Sequence, residues 1–300
     1  MLETHINEYG TLPLISFSVR YDFAGGTLPK WIRSEKSMPI CLHHHSELEL
    51  IYITNGSMYV EINAEQDTIR KGDLMLISPY DLHRAEFVDK NEILEYRCLI
   101  FELSILSGCG TDAARMIDEL RQGMRRFPIK MTGTPANEIG ELMLKLENIQ
   151  KAHLADANHT ISDLRLAAGI CEITAMILPH SYTIDSESSL DRVTFIRAVD
   201  TYIQIHMSEN LTTAMISADF GFSKGYFCAL FKRCFGTNFT EYLTIRRIRR
   251  AIDLYRSTGG SLVSIAKSVG FEDYAYFSRC FKKRTGMSPT GYFSADKNEV

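Results

Sequence analysis

The first hundred residues carry short stretches in which hydrophobic and polar positions alternate. Residues 58–62 alternate directly after Asn55 and Gly56, a pair that favours a tight turn between antiparallel strands. Residues 74–77 form a short apolar run between further turn signals. Short strands separated by turns at this spacing predict a β-sandwich or barrel, which we place over residues of about 14–101.

The periodicity changes to that of helices over residues of about 111–178. Hydrophobic side chains recur there three and four positions apart, which predicts amphipathic helices that bury one face. One stripe consists of Ile139, Leu142, Met143, Leu146 and Ile149, and a second of Leu164, Leu166, Ile170, Ile173 and Ile177. Two interpretations stay open, because the stripes can pack on the β domain or on a second protomer. Residues 181–189 lack a large apolar cluster and are predicted to be an interdomain linker.

The last eighty residues contain one pattern twice. The Gly-Phe pair at 221–222 returns 49 positions later, and the Tyr-Phe pair at 226–227 returns 50 positions later. Matching glycines, aromatics and lysines in the same order indicate an internal duplication. In each copy a glycine separates two predicted helices, as in a helix-turn-helix, and the copies cover residues of about 212–234 and 261–284. A long helix that begins near Thr240 is predicted to join them.

Composition favours an ordinary globular chain of about two domains. The 300 residues are 45% hydrophobic and 23% charged, and no apolar run approaches the length of a membrane span. Seven scattered cysteines without a Cys-x-x-Cys pair, together with an N-terminus unlike a signal peptide, favour a cytoplasmic protein with reduced thiols. Residues 191–300 hold 16 Lys and Arg against 10 Asp and Glu, although the whole chain has a net charge of −4. This asymmetry predicts that the C-terminal part contacts a polyanion.

The duplicated region supplies the candidate DNA-contacting residues. In a helix-turn-helix the second helix enters the major groove, so its outward face reads the bases. The candidates are Ser223, Lys224, Gly225, Cys228, Ala229, Lys232, Arg246, Arg247, Arg250, Asp273, Tyr274, Ser278, Arg279 and Lys282. The arginines of the long helix are predicted to point mostly outward and to neutralise phosphates. Because Arg279 pairs well with guanine and the first copy offers small side chains, we expect the second copy to contribute more direct base readout.

A second group of candidates lies in the β-rich part. His43, His45 and Glu49 lie an even number of positions apart, so on one strand they share a face, and His83 joins them from a later strand. His44 has the opposite parity and is predicted to be exposed. The candidate effector-binding residues are His43, His45, Glu49, Tyr59 and His83. Three imidazoles and a carboxylate also suit a divalent metal ion, whereas the alternative is that they hydrogen-bond a small ligand directly. We expect no obligatory cofactor, and metal binding stays open.

These motifs resemble two known families. The spacing His43-x-His45-x3-Glu49, followed by Pro79-x3-His83, is similar to that of cupin jelly rolls. The repeated Tyr-Phe-x-x-x-Phe-Lys and the closing residues 285–292 resemble the DNA-binding domain of AraC-type transcription regulators. The resemblance implies an α+β chain: a cupin-like β jelly roll with accessory helices, then an all-α domain with two helix-turn-helix units on a long helix. The implied domains are residues 1–180 and 190–300, joined by residues 181–189.

The resemblance also implies the partners. These are double-stranded promoter DNA, a small-molecule effector such as a sugar, a second protomer, and RNA polymerase in the case of an activator. The alternative function is a metal-dependent cupin enzyme, either a dioxygenase or a sugar isomerase, which the histidine set supports. The basic duplicated domain argues against an enzyme. A third interpretation is a constitutive DNA-binding protein with a purely structural cupin.

Overall fold

The computed structural model describes residues 14–21, 40–106, 108, 110–153, 159–184 and 187–296. Contacts within the chain divide it into two compact units, Met1–Thr194 and Phe195–Val300, which we call unit 1 and unit 2. The division falls within one helix, Glu187–His206. None of the helices described by the structure is long and apolar enough to cross a membrane.

Unit 1 is built from two larger antiparallel sheets, a small two-stranded sheet and a layer of helices. The strands are β1 (Leu14–Tyr21), β2 (Ile40–His43), β3 (Leu48–Asn55), β4 (Ser57–Ile62), β5 (Glu65–Arg70), β6 (Leu74–Ile77), β7 (His83–Phe87), β8 (Leu94–Phe101), β9 (Arg125–Arg126), β10 (Lys130–Met131) and β11 (Tyr182–Thr183). The helices are α1 (Thr111–Arg121), α2 (Thr134–His153), α3 (His159–Ile177) and the first part of α4 (Glu187–His206). Single 3-10 turns cover Leu103–Leu106 and Leu178–His180.

The two larger sheets enclose one hydrophobic core. The five-stranded sheet has the order β1-β8-β3-β6-β10, and the four-stranded sheet has the order β2-β7-β4-β5. Strand alternation directs Ile51 and Ile53 of β3 and Met58 and Val60 of β4 into the same buried cluster. The core between the sheets is therefore built from alternate residues of both, as in a β-sandwich.

The opposite face of the five-stranded sheet is covered by α1, α2 and α3. Leu48 and Leu50 of β3 pack there in one cluster with Ile139 and Met143 of α2 and with Ile173 of α3. The predicted stripes of both helices thus pack within unit 1. Leu164 is the exception, because its side chain is 66% exposed.

Unit 2 is entirely helical among its described residues. After α4 come α5 (Thr213–Asp219), α6 (Lys224–Phe235), α7 (Phe239–Thr258), α8 (Leu262–Ser268), α9 (Tyr274–Thr285) and α10 (Pro289–Asp296). The fully buried Phe227 and Phe231 of α6 and Phe277 and Phe281 of α9 are the centres of two equivalent cores. The pattern that repeats along the sequence is therefore the pattern of buried aromatic side chains.

Each helix-turn-helix has its predicted turn and cap. Gly221 and Gly270 adopt φ angles of 69° and 94°, a region that only glycine enters without strain. Ser223 and Asp273 accept hydrogen bonds from the backbone N–H of the third helical residue, which fixes the starts of α6 and α9. The expected fold class, a β domain with accessory helices followed by an all-α domain with two helix-turn-helix units, is confirmed.

The segment predicted as a linker contains regular structure. Tyr182 and Thr183 form β11, which pairs with β9, and α4 begins at Glu187. The change between the two compact units comes after Thr194, inside α4, rather than within residues 181–189. The functional extents of the two domains, 1–180 and 190–300, stay a prediction.

Candidate functional site

Four polar side chains converge between the sheets of unit 1. The ligand atoms of His43, His45, Glu49 and His83 all lie within 4.8 Å of one another. His43 ends β2 and pairs in register with His83, the first residue of β7, whereas Glu49 belongs to β3 in the other sheet. The two sheets therefore contribute opposite sides of this cluster, which we call the His/Glu cluster.

The predicted route to this convergence was partly wrong. No two of His43, His45 and Glu49 share a strand, because His43 ends β2, Glu49 lies in β3, and residues 44–47 form the connection between them. His44, predicted to be exposed, has only 7% of its surface accessible. The even spacing of the motif was therefore a correct indication of proximity, but not because the residues alternate along one strand.

Hydrogen bonds orient two imidazoles toward the carboxylate. His45 has Nδ1 3.1 Å from the carbonyl oxygen of Glu47 and Nε2 2.9 Å from Oε2 of Glu49. His83 has Nδ1 2.8 Å from the carbonyl oxygen of Asp81 and Nε2 3.3 Å from the same Glu49 oxygen. A carbonyl oxygen only accepts, so each Nδ1 carries its proton and donates it. Nε2 of each ring faces Oε2 of Glu49, where it carries a lone pair when the ring is neutral and donates to the carboxylate when the ring is protonated.

The protonation states of Glu49 and His83 leave several lone pairs close together. Burial would raise the pKa of Glu49, but contact with His45 and His83 outweighs burial and holds the pKa well below its usual range. Burial and the neighbouring His43 lower the pKa of His83 to about 4, against the opposing effect of Glu49. At neutral pH Glu49 is a carboxylate and His83 is neutral, so the cluster carries anionic charge and lone pairs that a cation would satisfy.

The buried surroundings hold Glu49 in place from its other side. Cys98 of β8 donates from Sγ to Oε1 of Glu49 at 3.2 Å, and burial raises the pKa of this thiol well above its ordinary value. The thiol therefore acts as a neutral donor and leaves Oε2 for the histidine side of the cluster. The residues around it, including Ile51 and Ile100, are buried and apolar.

The donor set fits a divalent metal ion in chemistry, and the two distances from Glu49 Oε2 fit it in spacing. Two ligands at right angles around an ion, each about 2.1 Å away, are about 3.0 Å apart. The distances of 2.9 and 3.3 Å from Glu49 Oε2 to the two Nε2 atoms agree with that value. Imidazole nitrogen together with carboxylate oxygen suits zinc, nickel, iron or manganese. The second nitrogens of His45 and His83 bond to backbone carbonyls, the arrangement that orients metal-ligating histidines.

Tyr59 does not belong to this cluster. In β4 the buried positions are Met58, Val60 and Ile62, so Tyr59 points to the opposite face. Ile62 is the residue that lies opposite His83, which places His83 on the core side. The prediction that Tyr59 contacts the same ligand as His83 is therefore wrong, because strand alternation separates the two side chains.

In unit 2 the predicted face of the first recognition helix is open. Lys224, Gly225, Cys228, Ala229 and Lys232 of α6 are all exposed. Ser223, also exposed, uses its hydroxyl oxygen to accept from the backbone N–H of Tyr226. The face thus presents two lysines and three small side chains.

The second recognition helix differs in its outward chemistry. Arg279 and Lys282 are exposed, and the guanidinium carbon of Arg279 lies 5.9 Å from the centre of the Tyr276 ring. Ser278 is half-buried, and Tyr274, predicted to face outward, is half-buried as well, with its ring 5.8 Å from that of Phe277. The prediction for Tyr274 is corrected accordingly, because the ring packs on the core of the second helix-turn-helix.

Two arginines of α7 are engaged inside unit 2. Arg246 lies 3.3 Å from Oδ1 of Asp200 and 3.2 Å from the hydroxyl of Tyr242. Arg247 donates to the carbonyl oxygens of Met207 and Glu209. Its guanidinium group lies over the aromatic ring of Phe271. The prediction that both side chains point outward is wrong, because each bonds to the end or side of α4.

Arg250 and Asp273 are exposed, as predicted. The carboxylate of Asp273 caps α9, and Arg250 leaves its charge at the surface. Sequence reasoning missed two exposed aromatic residues, Tyr226 and Tyr276, which are 55% and 47% exposed. Their repetition at the third position of both recognition helices was the available signal, but they were assigned only to the repeat pattern.

Comparison with known proteins agrees with both units. Residues 41–156 match the family described as AraC-like ligand binding domain, and residues 216–295 match the family described as Helix-turn-helix domain. The HTH-type transcriptional regulator YisR of Bacillus subtilis, whose name marks it as uncharacterized, is 25% identical over 82% of this chain and 85% of YisR. The HTH-type transcriptional activator RhaR of Pectobacterium atrosepticum is 26% identical over 84% of this chain and 85% of RhaR.

Solved structures show the same fold at low sequence identity. Wild-type ToxT from Vibrio cholerae, crystallised with an unsaturated fatty acid bound, has a TM-score of 0.52 at 12% identity, with 95% of each chain covered. An apo ToxT variant has a TM-score of 0.53 at 13% identity over 93% of this chain and 96% of that one. At this identity the likeness concerns the fold alone.

Proposed function

Because the chain belongs to the AraC-type transcription regulators, we propose that it recognises promoter DNA with both helix-turn-helix units under the control of a small molecule bound in unit 1. It is a regulator and not an enzyme, as its relatives are named. The observation that carries the proposal is the pair of capped recognition helices with exposed outer faces, α6 and α9. Promoter DNA as partner makes the cytoplasm the proposed location.

The proposed DNA contacts follow from exposure. Lys224, Lys232 and Arg250 contact phosphates, and Lys282 does so from α9. Gly225, Cys228 and Ala229 of α6 lie against the bases in the first helix-turn-helix. Arg279 and Ser278 of α9 do so in the second. Arg246, Arg247 and Tyr274 are left out, because they are engaged within unit 2. If the regulator is an activator, RNA polymerase is its further partner.

The two helix-turn-helix motifs contribute unequally to the recognition of bases. The exposed face of α6 offers small side chains that fit thymine methyl groups, whereas Arg279 of α9 offers a guanidinium that matches two acceptors of guanine. The contact between Arg279 and the Tyr276 ring limits the orientations of the guanidinium. We therefore assign most of the direct base recognition to the second helix-turn-helix.

The proposed effector is a polar, hydroxylated small molecule such as a sugar, bound at the His/Glu cluster. A purely apolar ligand would offer no hydrogen bond to Nε2 of His83, a buried atom without a hydrogen-bond partner among the described residues, which is costly. The fatty acid named for ToxT belongs to that protein, and an identity of 12% supports no transfer of its ligand.

We further propose that a divalent transition-metal ion occupies the His/Glu cluster, with His43, His45, Glu49 and His83 as its ligands. The support is the pair of Nε2 lone pairs that face Glu49 Oε2. The metal would supply a positive charge that a hydroxylated effector can approach. The protein residues keep the imidazoles oriented through the carbonyls of Glu47 and Asp81.

The proposed homodimer forms through the outer face of α3. Ile161 and Leu164 are 58% and 66% exposed there, and Ala168 and Cys171 continue the same face. Leu166 and Ile173 lie on the opposite, buried side, so α3 has two apolar faces of which unit 1 covers one. An exposed apolar stripe of this kind marks an interaction surface.

Charge complementarity indicates a second copy as the partner. Arg165 and Glu172 are exposed on this face, and neither forms an ion pair within the described part of the chain. A two-fold axis near Ala168 makes the helices antiparallel and brings Arg165 of each protomer opposite Glu172 of the other. The small, exposed side chain of Ala168 at the axis allows the close approach.

Thermal-shift screening of the full chain against a metabolite panel tests effector control. A true effector raises the unfolding midpoint progressively as its concentration exceeds its Kd, and it changes the affinity for a selected DNA duplex. Our proposal predicts such compounds among hydroxylated metabolites. Duplex binding that no stabilising compound changes would favour a constitutive DNA-binding protein.

A further inference from the structure

The turn between β6 and β7 connects the His/Glu cluster with the start of α4. Its residues, Ser78 to Asp81, are largely buried, and Tyr80 adopts a positive φ of 63°. Non-glycine residues rarely adopt this conformation, so the surrounding contacts must hold it. Those contacts come from three directions.

The cluster side of the turn is fixed by two of the candidate ligands. The backbone N–H of Tyr80 donates to the carbonyl oxygen of His45 at 2.7 Å. His83 donates from Nδ1 to the carbonyl oxygen of Asp81 at 2.8 Å. A change in the position of the His83 imidazole therefore acts directly on the backbone of this turn, whereas His45 holds the turn through its own backbone carbonyl.

The second contact leads to the strand pair next to α4. Asp81 accepts from the guanidinium of Arg126 in β9, with Nε at 3.0 Å. β9 pairs with β11, whose residues Tyr182 and Thr183 lie just before α4 in the chain. Arg125 also donates to the carbonyl oxygen of Ser181 at 3.1 Å, which fixes the segment before β11.

The third contact reaches α4 itself. Arg192 donates from Nη2 to the carbonyl oxygen of Tyr80 at 3.2 Å. One residue later, Val193 packs so closely on Gly123 that a Cβ added there would lie 2.4 Å from a Val193 methyl. The helix that carries the chain into unit 2 is thus bonded to the same turn that two cluster histidines hold.

We propose that the Ser78–Asp81 turn transmits occupancy of the His/Glu cluster to the first turns of α4, with Arg192 as the positioning residue. This inference rests on the proposed function only in taking the cluster as the site that receives the effector. Ligation of Nε2 of His45 and His83 fixes both rings, the His83 ring fixes the turn through the Asp81 carbonyl, and the turn fixes Arg192. Arg192 contacts no ligand and no DNA in this scheme.

Hydrogen–deuterium exchange of the full chain, with and without Ni²⁺, tests the proposal. Ni²⁺ is expected to slow exchange of the amides of residues 187–194 by about threefold or more in the wild type. Arg192→Met should abolish this slowing while Ni²⁺ still binds. Arg197→Met, which changes another α4 arginine with an exposed side chain, should keep it. Arg192→Gln serves as the second variant if Arg192→Met unfolds.

Equal slowing in Arg192→Met and the wild type would overturn the proposal, as would bound Ni²⁺ without any slowing at residues 187–194. If Ni²⁺ does not bind, His83→Ala, which removes the imidazole that bonds to the Asp81 carbonyl, replaces it as the change at the cluster. Faster exchange of the same amides in the wild-type background, but not in Arg192→Met, supports the relay, and any other result overturns it. Failure of the chain to select DNA would refute the proposed function while leaving these exchange results valid.

Discussion

Arg247 donates from Nε to the carbonyl oxygen of Met207 at 3.0 Å, and so joins the middle of α7 to the end of α4. Its Nη2 atom also reaches the carbonyl oxygen of Glu209 at 2.6 Å. A Cβ at Gly270 would lie 2.4 Å from the same Met207 oxygen and 2.7 Å from Nη2 of Arg247. The second helix-turn-helix therefore packs against this joint closely enough that only glycine fits at its turn.

Arg247→Met and Arg250→Met are expected to separate stability from DNA binding. Arg247→Met leaves two backbone carbonyls without their donor and should lower the free energy of unfolding by about 1–3 kcal/mol. Arg250→Met removes an exposed charge and should change that free energy by less than about 0.5 kcal/mol. It should instead weaken binding to DNA and reduce the salt dependence of affinity by about one unit of slope.

Urea unfolding followed by circular dichroism, and DNA titrations at several salt concentrations, provide the two measurements. An unchanged unfolding midpoint for Arg247→Met would contradict a stabilising role for the hydrogen bonds of Arg247 to Met207 and Glu209. A salt slope in Arg250→Met identical to that of the wild type would remove Arg250 from the proposed phosphate contacts.

The repeat made unit 2 largely predictable, whereas the long helix did not reveal its own partners. Turn glycines, cap residues and buried aromatics recur at matching positions, so the order and extent of both helix-turn-helix units followed from the sequence. Helical periodicity assigns a direction to Arg246 and Arg247 only relative to their own helix. Their partners, Asp200 of α4 and Met207 directly after it, lie about 40 residues away, and nothing local to α7 indicates that contact.

Arg279→Ala is expected to relax base recognition at one position. Loss of a bidentate contact with guanine should reduce discrimination at that base pair by about 1–3 kcal/mol. Ala229→Ser, at the equivalent surface of α6, should change discrimination far less because the wild-type side chain makes no hydrogen bond with a base. Affinities for a panel of single-base variants of the selected duplex measure both effects. A greater loss of base discrimination in Ala229→Ser than in Arg279→Ala would contradict the assignment of most base recognition to the second helix-turn-helix.

Zn²⁺ or Co²⁺ is expected to bind the full chain with one ion per protomer. Loss of an outer-shell partner alone costs about 10- to 100-fold in metal affinity, so removal of a ligand in His45→Ala should cost at least about 100-fold. Isothermal titration and the visible spectrum of bound Co²⁺ report affinity and ligand geometry. His180→Ala, which changes an exposed histidine outside the cluster, is the control and should bind like the wild type.

A chain that takes up no ion, or His45→Ala with wild-type affinity, would leave the His/Glu cluster as a direct hydrogen-bonding site. In that case the polar effector remains proposed and the metal does not. The two outcomes are distinguishable because thermal-shift screening for the effector needs no metal.

Some members of the His/Glu cluster could be predicted from their spacing in the sequence. Its other contacts depend on how the strands pair in the sheets. The spacing of His43, His45 and Glu49 is short enough that any compact connection brings them together. The inclusion of Tyr59 failed because its face is decided by the register of β4 against β7, in which Ile62 and not Tyr59 lies opposite His83. The contribution of Cys98 has no local signal, since it depends on β3 and β8 being neighbours.

Arg165→Glu is expected to dissociate the proposed dimer. The change places like charges opposite each other twice across the two-fold axis, because both protomers carry it. Arg165→Glu combined with Glu172→Arg restores opposite charges and should restore the dimer. Sedimentation velocity over a range of concentrations gives the association state of each variant. A wild-type chain that stays monomeric throughout, or a single variant as dimeric as the wild type, would contradict this use of α3.

The most direct test of the central claim is selection of binding sites from a pool of random DNA duplexes by the full chain, followed by footprinting. Two recognition helices that enter the same face of a duplex should enrich one motif with two preferred segments about one helical turn, or 10 base pairs, apart. We predict that motif, with the preference in one segment lost in Arg279→Ala. Enrichment of no motif, or of a single short segment that Arg279→Ala leaves unchanged, would contradict the account.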